Sequence, residues 1–450
     1  MRTTSLRPLL ARFIPAGGLL LSVLLFGSYG MGLVRDRVFA RTFGAGPELD
    51  AYNAAFVLPE LLLDVLVDAG LAAPFVPIFL RLRAVDDGGA AERFARSILT
   101  AATLVVGCAA LLMFVFAEAT TAFIAGGFGS EQRELYVPLF RLMLATPILF
   151  AISNTLGQVL IAEQRFLWYG LAPILYNAGI IGGTVALEGR IGIYAAAVGA
   201  VAGAALHLAI RLVGLWRSRF RPGFGFQGPG DSIREFVRLM LPKMVSHPVE
   251  QLTVIFFTAV ASGLAVGSVT VVNLARNFQS VPVSLIGAAF ALAVFPALST
   301  AHATGDRRAF LRLLGTNSIT IALLTGLAAI AVLVVGELAI RVLLGGGAFG
   351  AEDVQRTAAV LAAFAISIPF ESVSLLLSRA LYATRHTLLQ VLATLAGLGI
   401  TIGSTLALLA PLGVIAIPIG FGIGQAAKTV LLGLALVIRL RGFREVSASG

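Results

Sequence analysis

The chain has a single cysteine, Cys108, set inside an apolar run. That excludes a disulfide framework and a Cys/His spacing able to hold a structural metal. It has only two lysines, Lys243 and Lys428. No G-x-x-x-x-G-K run followed by Ser or Thr occurs, so the phosphate-cradling loop of ATP-driven machines is missing. Charge of either sign is sparse, at 12% of 450 residues against 58% hydrophobic. A water-soluble domain with so little polar surface is excluded, and the mean hydropathy of +0.94 points to an all-α polytopic membrane protein. The formal charge of +10 comes almost wholly from arginine. In such a chain it reports topology and anionic headgroups, with no call for a nucleic-acid partner. Nothing calls for a cofactor or a metal.

What is present in abundance is long apolar runs. A helix needs about 20 apolar residues to cross the hydrocarbon, and runs of that length predict roughly twelve spans. Their centres fall near Leu21, Leu66, Val106, Leu149, Leu175, Val201, Phe256, Ile286, Leu323, Ile366, Leu398 and Ile423. The first, "GGLLLSVLLF", follows a basic start but is long enough to span, so it reads as a membrane helix rather than a cleaved signal. Arginine placement sets the orientation. With the N-terminus inside, Arg2, Arg7, Arg12, Arg81, Arg83, Arg93 and Arg96 all fall on the inner side, as do Arg217, Arg219, Arg221, Arg234 and Arg307. Both termini are therefore expected to be cytoplasmic, in a bacterial inner membrane. The main exception is the stretch "GLVRDRVFARTFGAG", whose Arg35, Asp36, Arg37 and Arg41 fall on the outer side.

The chain also repeats. "GGFGSEQRELYVPLFRLMLATPILF" from Gly126 resembles "GGAFGAEDVQRTAAVLAAFAISIPF" from Gly346, with Pro147 against Pro369, Arg165 against Arg385, Pro77 against Pro296 and Asn53 against Asn273. Two halves of six spans each, an even number, share one orientation and are related by an axis along the membrane normal. The expected lobes are residues 1–216 and 233–450, joined by a basic, Gly/Pro-rich cytoplasmic linker, 217–232. Ser232 and Glu235 have the spacing of a capping box opening the second half. Paired repeats of this kind are a transporter architecture.

Charges inside the membrane are costly and turn toward the bundle interior. On the second span Glu60, Asp64 and Asp68 recur every four residues and share one helix face. They read either as a cavity wall that binds a proton or cation, or as partners of arginines. The eighth span carries Asn273, Arg276, Asn277 and Gln279. A buried arginine there is a bidentate partner for phosphate or carboxylate, or it forms a salt bridge with the acidic stripe. On the tenth span Glu371 and Arg379 are expected to pair along one face. The seventh holds Lys243, His247, Glu250 and Gln251 between Pro242 and Pro248, the composition of a broken helix that lines an ion site. His207 and His247 are residue types that titrate near neutrality, and a lone membrane histidine is most often a hydrogen-bonder.

At these residues the sequence resembles a known family. R-D near the end of the first span, then F-G-A-G, D-A, L-P and F-V-P-I up to Phe79, together with "ARNFQSVPVSLIGAAFALAVFPALS", resemble the lipid II flippases of the multidrug/oligosaccharidyl-lipid/polysaccharide exporter superfamily. The resemblance implies two six-helix lobes forming a V around a central cavity, and alternating-access transport of an undecaprenyl-diphosphate-linked muropeptide by a monomer. By motif it carries over Arg35, Asp36, Asp50 and Arg276. Arg35 and Arg276 would hold the diphosphate, with Arg37, Arg41, Asn53 and Asn273 completing the substrate set. Asp36 and Asp50 would orient arginines, and Glu60, Asp64, Asp68 and Glu250 would serve coupling. This chain departs from the family pattern at Tyr29, Leu63 and Asp64, where basic residues are usual. It also has no carboxylate in "LLQVLATLAGLGITIG" and twelve expected spans where most members have fourteen. The alternatives are a cation- or proton-coupled exporter of drugs or polysaccharide, a membrane-embedded lipid-modifying enzyme, and a non-transporting scaffold. The short loops disfavour the enzyme, and intramembrane charges without a purpose disfavour the scaffold.

Overall fold

A backbone in hydrocarbon has no water to bond, so each apolar run closes its hydrogen bonds within a helix. The computed structural model describes residues 16–65, 69–85, 89–246, 248–384 and 386–441, and its regular elements there are helices. The chain divides into two compact units. One comprises residues up to Phe43 and Pro47–Gln251; the other comprises Gly44–Gly46 and the chain from Leu252 onward.

The first unit contains α1 (Ala16–Phe43), α2 (Pro47–Leu63), α3 (Ala69–Val85), α4 (Ala90–Val115) and α5 (Ala117–Ile124). It continues through α6 (Ser130–Met143), α7 (Ala145–Ala162), α8 (Phe166–Ile191), α9 (Tyr194–Leu215) and α10 (Gly230–Ser246). Helix α1 packs on α8, α2 on α6, α4 and α9 on α7, and α10 on α3. The α8–α9 pair is the tightest by chemistry. Gly179 and Gly183 of α8 face Gly199 and Gly203 of α9, and a Cβ on Gly203 would lie 2.3 Å from the Tyr176 carbonyl oxygen. Small residues four apart let the two backbones touch, the main source of helix affinity where lipid removes the hydrophobic drive.

In the second unit the part of α11 (Pro248–Ser262) from Leu252 onward leads to α12 (Ser268–Pro282), a π-helical turn (Val283–Ala288), α13 (Ala289–Ala303) and α14 (Arg307–Leu343). Then come α15 (Ala351–Ala365), α16 (Ser367–Ala383), α17 (Thr387–Leu412) and α18 (Ala416–Arg441). Pro282 lacks the N–H of a regular turn, which accounts for the π turn that follows it. One face of α14 leaves Ile319, Leu323, Leu327, Ile330 and Val334 exposed, at spacings of three and four residues. That is a stripe built for lipid rather than water.

The repeat seen in the sequence recurs in the packing. The pairs α2–α6, α4–α7, α3–α7, α7–α9 and α8–α9 have counterparts in α12–α15, α14–α16, α13–α16, α16–α18 and α17–α18. Backbone details recur too. Gly129 and Gly350 precede matching helices, each bonded to a side chain three residues on, Gln132 and Asp353. Helices α8 and α17 both end on a left-handed glycine, Gly192 at φ 55° and Gly413 at φ 52°, a conformation that disfavours any residue with a Cβ.

Among the described residues, eight helical stretches are long and apolar enough to cross a membrane, or nine if α15 and α16, bent by 44° at Ile366, count as one span. The expected centres other than Leu66, which lies outside the described residues, fall in these stretches, in the shorter α11 or at the α15–α16 break. The first span runs Leu19–Phe43, so Arg35, Asp36, Arg37 and Arg41 lie in the last turns of α1. The apolar run stops before the helix does, because the first helix-ending signals are Gly44, at φ 66°, and Pro47. The Ser232–Glu235 capping box does not form. Helix α10 begins at Gly230, and Arg81 takes the Glu235 carboxylate with both terminal guanidinium nitrogens, Nη1 at 3.1 Å and Nη2 at 2.5 Å. That bond holds the Glu235 carboxyl below its usual range, and a forked ion pair outcompetes a single backbone N–H for the same oxygens.

The α8–α9 contact gives the first prediction. Gly203→Val is expected to lower the thermal unfolding temperature of the purified protein, since overpacking a closed interface costs about 1–3 kcal/mol. Gly182→Ala, at a glycine with open space beside it, is expected to leave it unchanged. Equal melting temperatures for Gly203→Val and wild type would contradict the backbone contact.

Candidate functional site

Each unit holds an arginine tied to a carboxylate within its helices. In the first unit, Arg35 lies two turns from the end of α1. Its Nε and Nη2 both donate to Asp36 Oδ1, at 3.1 and 2.9 Å. Side chains one residue apart point away from each other on a helix, so the guanidinium curls back to reach the buried carboxylate. Tyr52 and Glu60 of α2 and Tyr176 of α8 are within electrostatic reach of Arg35. Tyr52 is wedged edge-on against Phe39, and Tyr176 against Phe150, with ring centroids 5.0 Å apart in both pairs. The Tyr176 hydroxyl is buried with no hydrogen-bond partner among the described residues. A guanidinium, two phenols and a carboxylate make a polar group able to hold an anion or a proton inside the helices.

The second unit builds a denser network. Arg276 of α12 grips Glu371 of α16 in a fork, Nη1 to Oε2 at 2.9 Å and Nη2 to Oε1 at 2.7 Å. Gln279, one turn on from Arg276, accepts from Nη1 and donates to Glu371 Oε2 at 2.8 Å and Ser367 Oγ at 3.0 Å. The Phe421 ring of α18 lies 4.6 Å from the Arg276 guanidinium carbon, within cation–π range. Lys428, also on α18 and buried, acts on Glu371 electrostatically. One carboxylate thus serves two cations, which leaves the cluster poised to accept a second anion.

Within the second unit the partner of Arg276 is Glu371. The geometry there corrects one expectation: Glu371 and Arg379 do not pair. Eight residues separate them, about 12 Å along a helix, and Arg379 instead sits over the Phe295 ring, 5.8 Å from its centroid. Asp64 accepts a hydrogen bond from Gln251, and Glu60 is exposed. Asp50, fully buried in the first turn of α2, accepts from Gln132 of α6 at 3.3 Å, so it braces α2 against α6 at a helix end that favours negative charge. Arg37 and Asn53 are half-buried, while Arg41 and Asn273 are exposed. Asp68, His247 and the side chains of Lys243 and Glu250 lie outside the described residues. His207 is a buried hydrogen-bonder, its Nδ1 2.8 Å from Ser153 Oγ.

Sequence reasoning passed over Arg211, Tyr52, Tyr176 and Lys428 as site residues. Arg211, almost fully buried on α9, donates from Nη1 to the Ser153 carbonyl at 2.6 Å and to Asn154 Oδ1 at 2.7 Å. It stacks on Tyr169 at 4.9 Å. The available signal was a single cation in an apolar run, "LHLAIRLVGL" for Arg211 and "GQAAKTVLLG" for Lys428. The two tyrosines offer none beyond a polar tip on an aromatic side chain.

A helical membrane chain built twice over, with an ion-paired arginine inside each copy, defines a membrane transporter of the two-repeat class. The family model described as Lipid II flippase MurJ matches residues 39–446. A Thermotoga maritima relative, described as a probable lipid II flippase MurJ, is 29% identical over 364 residues, covering 81% of this chain and 73% of the relative. The lipid II flippase MurJ of Burkholderia cenocepacia is 27% identical over 432 residues, covering 92% and 82%. Among solved structures, a lipid II flippase MurJ in an inward closed conformation superposes with a TM-score of 0.79 at 22% identity, covering 94% of this chain and 89% of that one. An inward-facing multidrug resistance MATE family transporter superposes at 0.80 and 15% identity, covering 94% and 96%. At these identities the superpositions speak for the fold alone. The chain belongs to the lipid II flippase MurJ family, a family of transporters rather than enzymes.

The fork between Arg276 and Glu371 is measurable. A double-mutant cycle with Arg276→Gln and Glu371→Gln, read by thermal or denaturant unfolding, is expected to give a coupling energy of about 0.5–3 kcal/mol, the range for residues in direct contact. Additive losses would show that the two side chains do not meet.

Proposed function

We propose that the protein is a lipid II flippase, carrying an undecaprenyl-diphosphate-linked oligosaccharide across the bacterial cytoplasmic membrane by alternating access. The observation that carries this reading is the Arg276–Glu371 fork. A carboxylate held in two parallel hydrogen bonds occupies the position that a phosphate oxygen pair would take, and arginine suits either anion. Arg35, held by Asp36, plays the equivalent part in the first unit. Arg37 and Arg41 assist it, and Asn53 and Asn273 offer amide hydrogen bonds to the sugar. Asp50 positions the start of α2. Glu60, Asp64, Asp68 and Glu250 form the coupling set, in which protonation changes how strongly the arginines are held. Inner and outer states must differ in their affinity for substrate and for the coupled ion, because a ligand that binds both equally shifts nothing. The arginine distribution supports cytoplasmic termini for the working protein, which acts as a monomer. A second reading, a cation- or proton-coupled exporter, is favoured by the acidic second span, with Glu60 and with Asp64 at a position where the family pattern is basic.

Complementation separates the two. In bacteria depleted of their own lipid II flippase, the wild-type chain is expected to restore growth. Arg35→Ala and Arg276→Ala are each expected to abolish rescue at equal membrane abundance, with lysine at either position restoring it only in part. Failure of a well-expressed wild type removes the lipid II assignment, and full rescue by both alanine variants removes the arginines from substrate handling.

A further inference from the structure

Between α9 and α10 the chain runs as an irregular strap from Trp216 to Pro229. It is fastened along the first turns of α4. Arg96 Nε donates to the Arg221 carbonyl at 3.0 Å, Gly225 N to Thr100 Oγ1 at 2.8 Å, and Gly228 N to Ser97 Oγ at 2.8 Å. Phe220 is fully buried, and Ser218 Oγ donates to Glu163 at 2.6 Å. The segment is thus a fixed part of the first unit. An extended chain turns alternate residues to opposite sides. Gly223 and Gly225 lie against α4, while Phe224 and Phe226 point away, each 65% exposed.

The depth of the strap says what those rings meet. Thr100, where the strap is bonded, is one helical turn, about 6 Å, before Leu104 and Val105. These two are the first exposed apolar pair of α4, which is long and apolar enough to span. Trp216, 79% exposed, directly follows α9, whose last turn exposes Leu212 and Val213. Both anchor points set the strap where lipid-facing helix surface ends. Arg217, Arg219 and Arg221 are exposed on the same segment, and no acidic residue occurs from Arg217 to Gly230. Aromatic rings with a row of cations at that level are the composition that seats on a bilayer interface with a negative surface.

We propose that the strap is a binding surface for anionic phospholipid. Phe224, Phe226 and Trp216 seat at the boundary between headgroup and acyl chain, and Arg217, Arg219 and Arg221 bind the headgroup phosphates. The proposal rests on membrane embedding alone and stands apart from the identity of the transported substrate.

Tryptophan fluorescence of the full-length protein in vesicles tests it. In a Trp168→Phe chain, Trp216 is the sole tryptophan. A second chain, Trp168→Phe/Trp216→Phe/Phe226→Trp, reports on the strap itself. In phosphatidylcholine vesicles containing phosphatidylglycerol, both emissions are expected to be blue-shifted. They should be quenched more by lipids brominated near the headgroup end than by lipids brominated at mid-chain, and more by brominated phosphatidylglycerol than by brominated phosphatidylcholine. Changing Arg217, Arg219 and Arg221 to Gln should erode the phosphatidylglycerol preference by roughly fivefold for each arginine removed. Red-shifted emission quenched by aqueous iodide and by no brominated lipid would overturn the proposal and leave the strap to a soluble partner. An undiminished phosphatidylglycerol preference in the triple glutamine variant would overturn the role of the arginines.

Discussion

A guanidinium inside a membrane-spanning helix must be met by an acceptor, because leaving it bare in hydrocarbon costs more than a typical fold can spare. Much of this structure is the consequence. Arg35 bends back onto Asp36, Arg211 donates to a carbonyl and an amide oxygen beneath Tyr169, and Arg276 is clasped by Glu371 and Gln279 under Phe421. Each arrangement spends a second residue, often a third, on one charge. Such pairs add little net stability over apolar packing, and removing one member is far more damaging than removing both. The proposed function gives these charges a use, as groups that change partners.

That use follows from chemistry common to the partners. A carboxylate and a diphosphate present the same pair of acceptors to a guanidinium fork. On the proposed reading Glu371, held by Arg276, is a resident anion that an incoming one would replace, and Gln279, bonded to both Ser367 and Glu371, keeps the carboxylate in register. Replacement without a large net cost is what a carrier needs, since a substrate bound too tightly would not leave.

The scaffold was largely legible in the sequence. Apolar length alone picks out the spans, and Pro147 against Pro369 reveals the repeat that the packing pairs and the Gly192 and Gly413 helix ends display. Motif residues led to Arg35 and Arg276 as well. The resemblance also marked Asp36, the acceptor of Arg35, as an arginine-orienting residue. The partner of Arg276 was not legible, because Glu371 is 95 residues away, a distance no local pattern spans. Arg379, the nearest opposite charge on the same helix, was the natural guess, and it failed because eight residues of helix place the two side chains too far apart. Periodicity reports which face of a helix is polar, not which helix comes to lie against it.

The exchange of Glu371 for a diphosphate is the central claim, and equilibrium binding tests it most directly. A short-chain prenyl diphosphate would be titrated into purified full-length wild type, Arg276→Gln and Glu371→Gln, each shown folded by gel filtration. The account predicts that Arg276→Gln weakens binding by about tenfold or more, about 1.4 kcal/mol, whereas Glu371→Gln binds at least as tightly as wild type because its competing carboxylate is gone. Wild-type affinity in Arg276→Gln, or an equal loss in both variants, would contradict it.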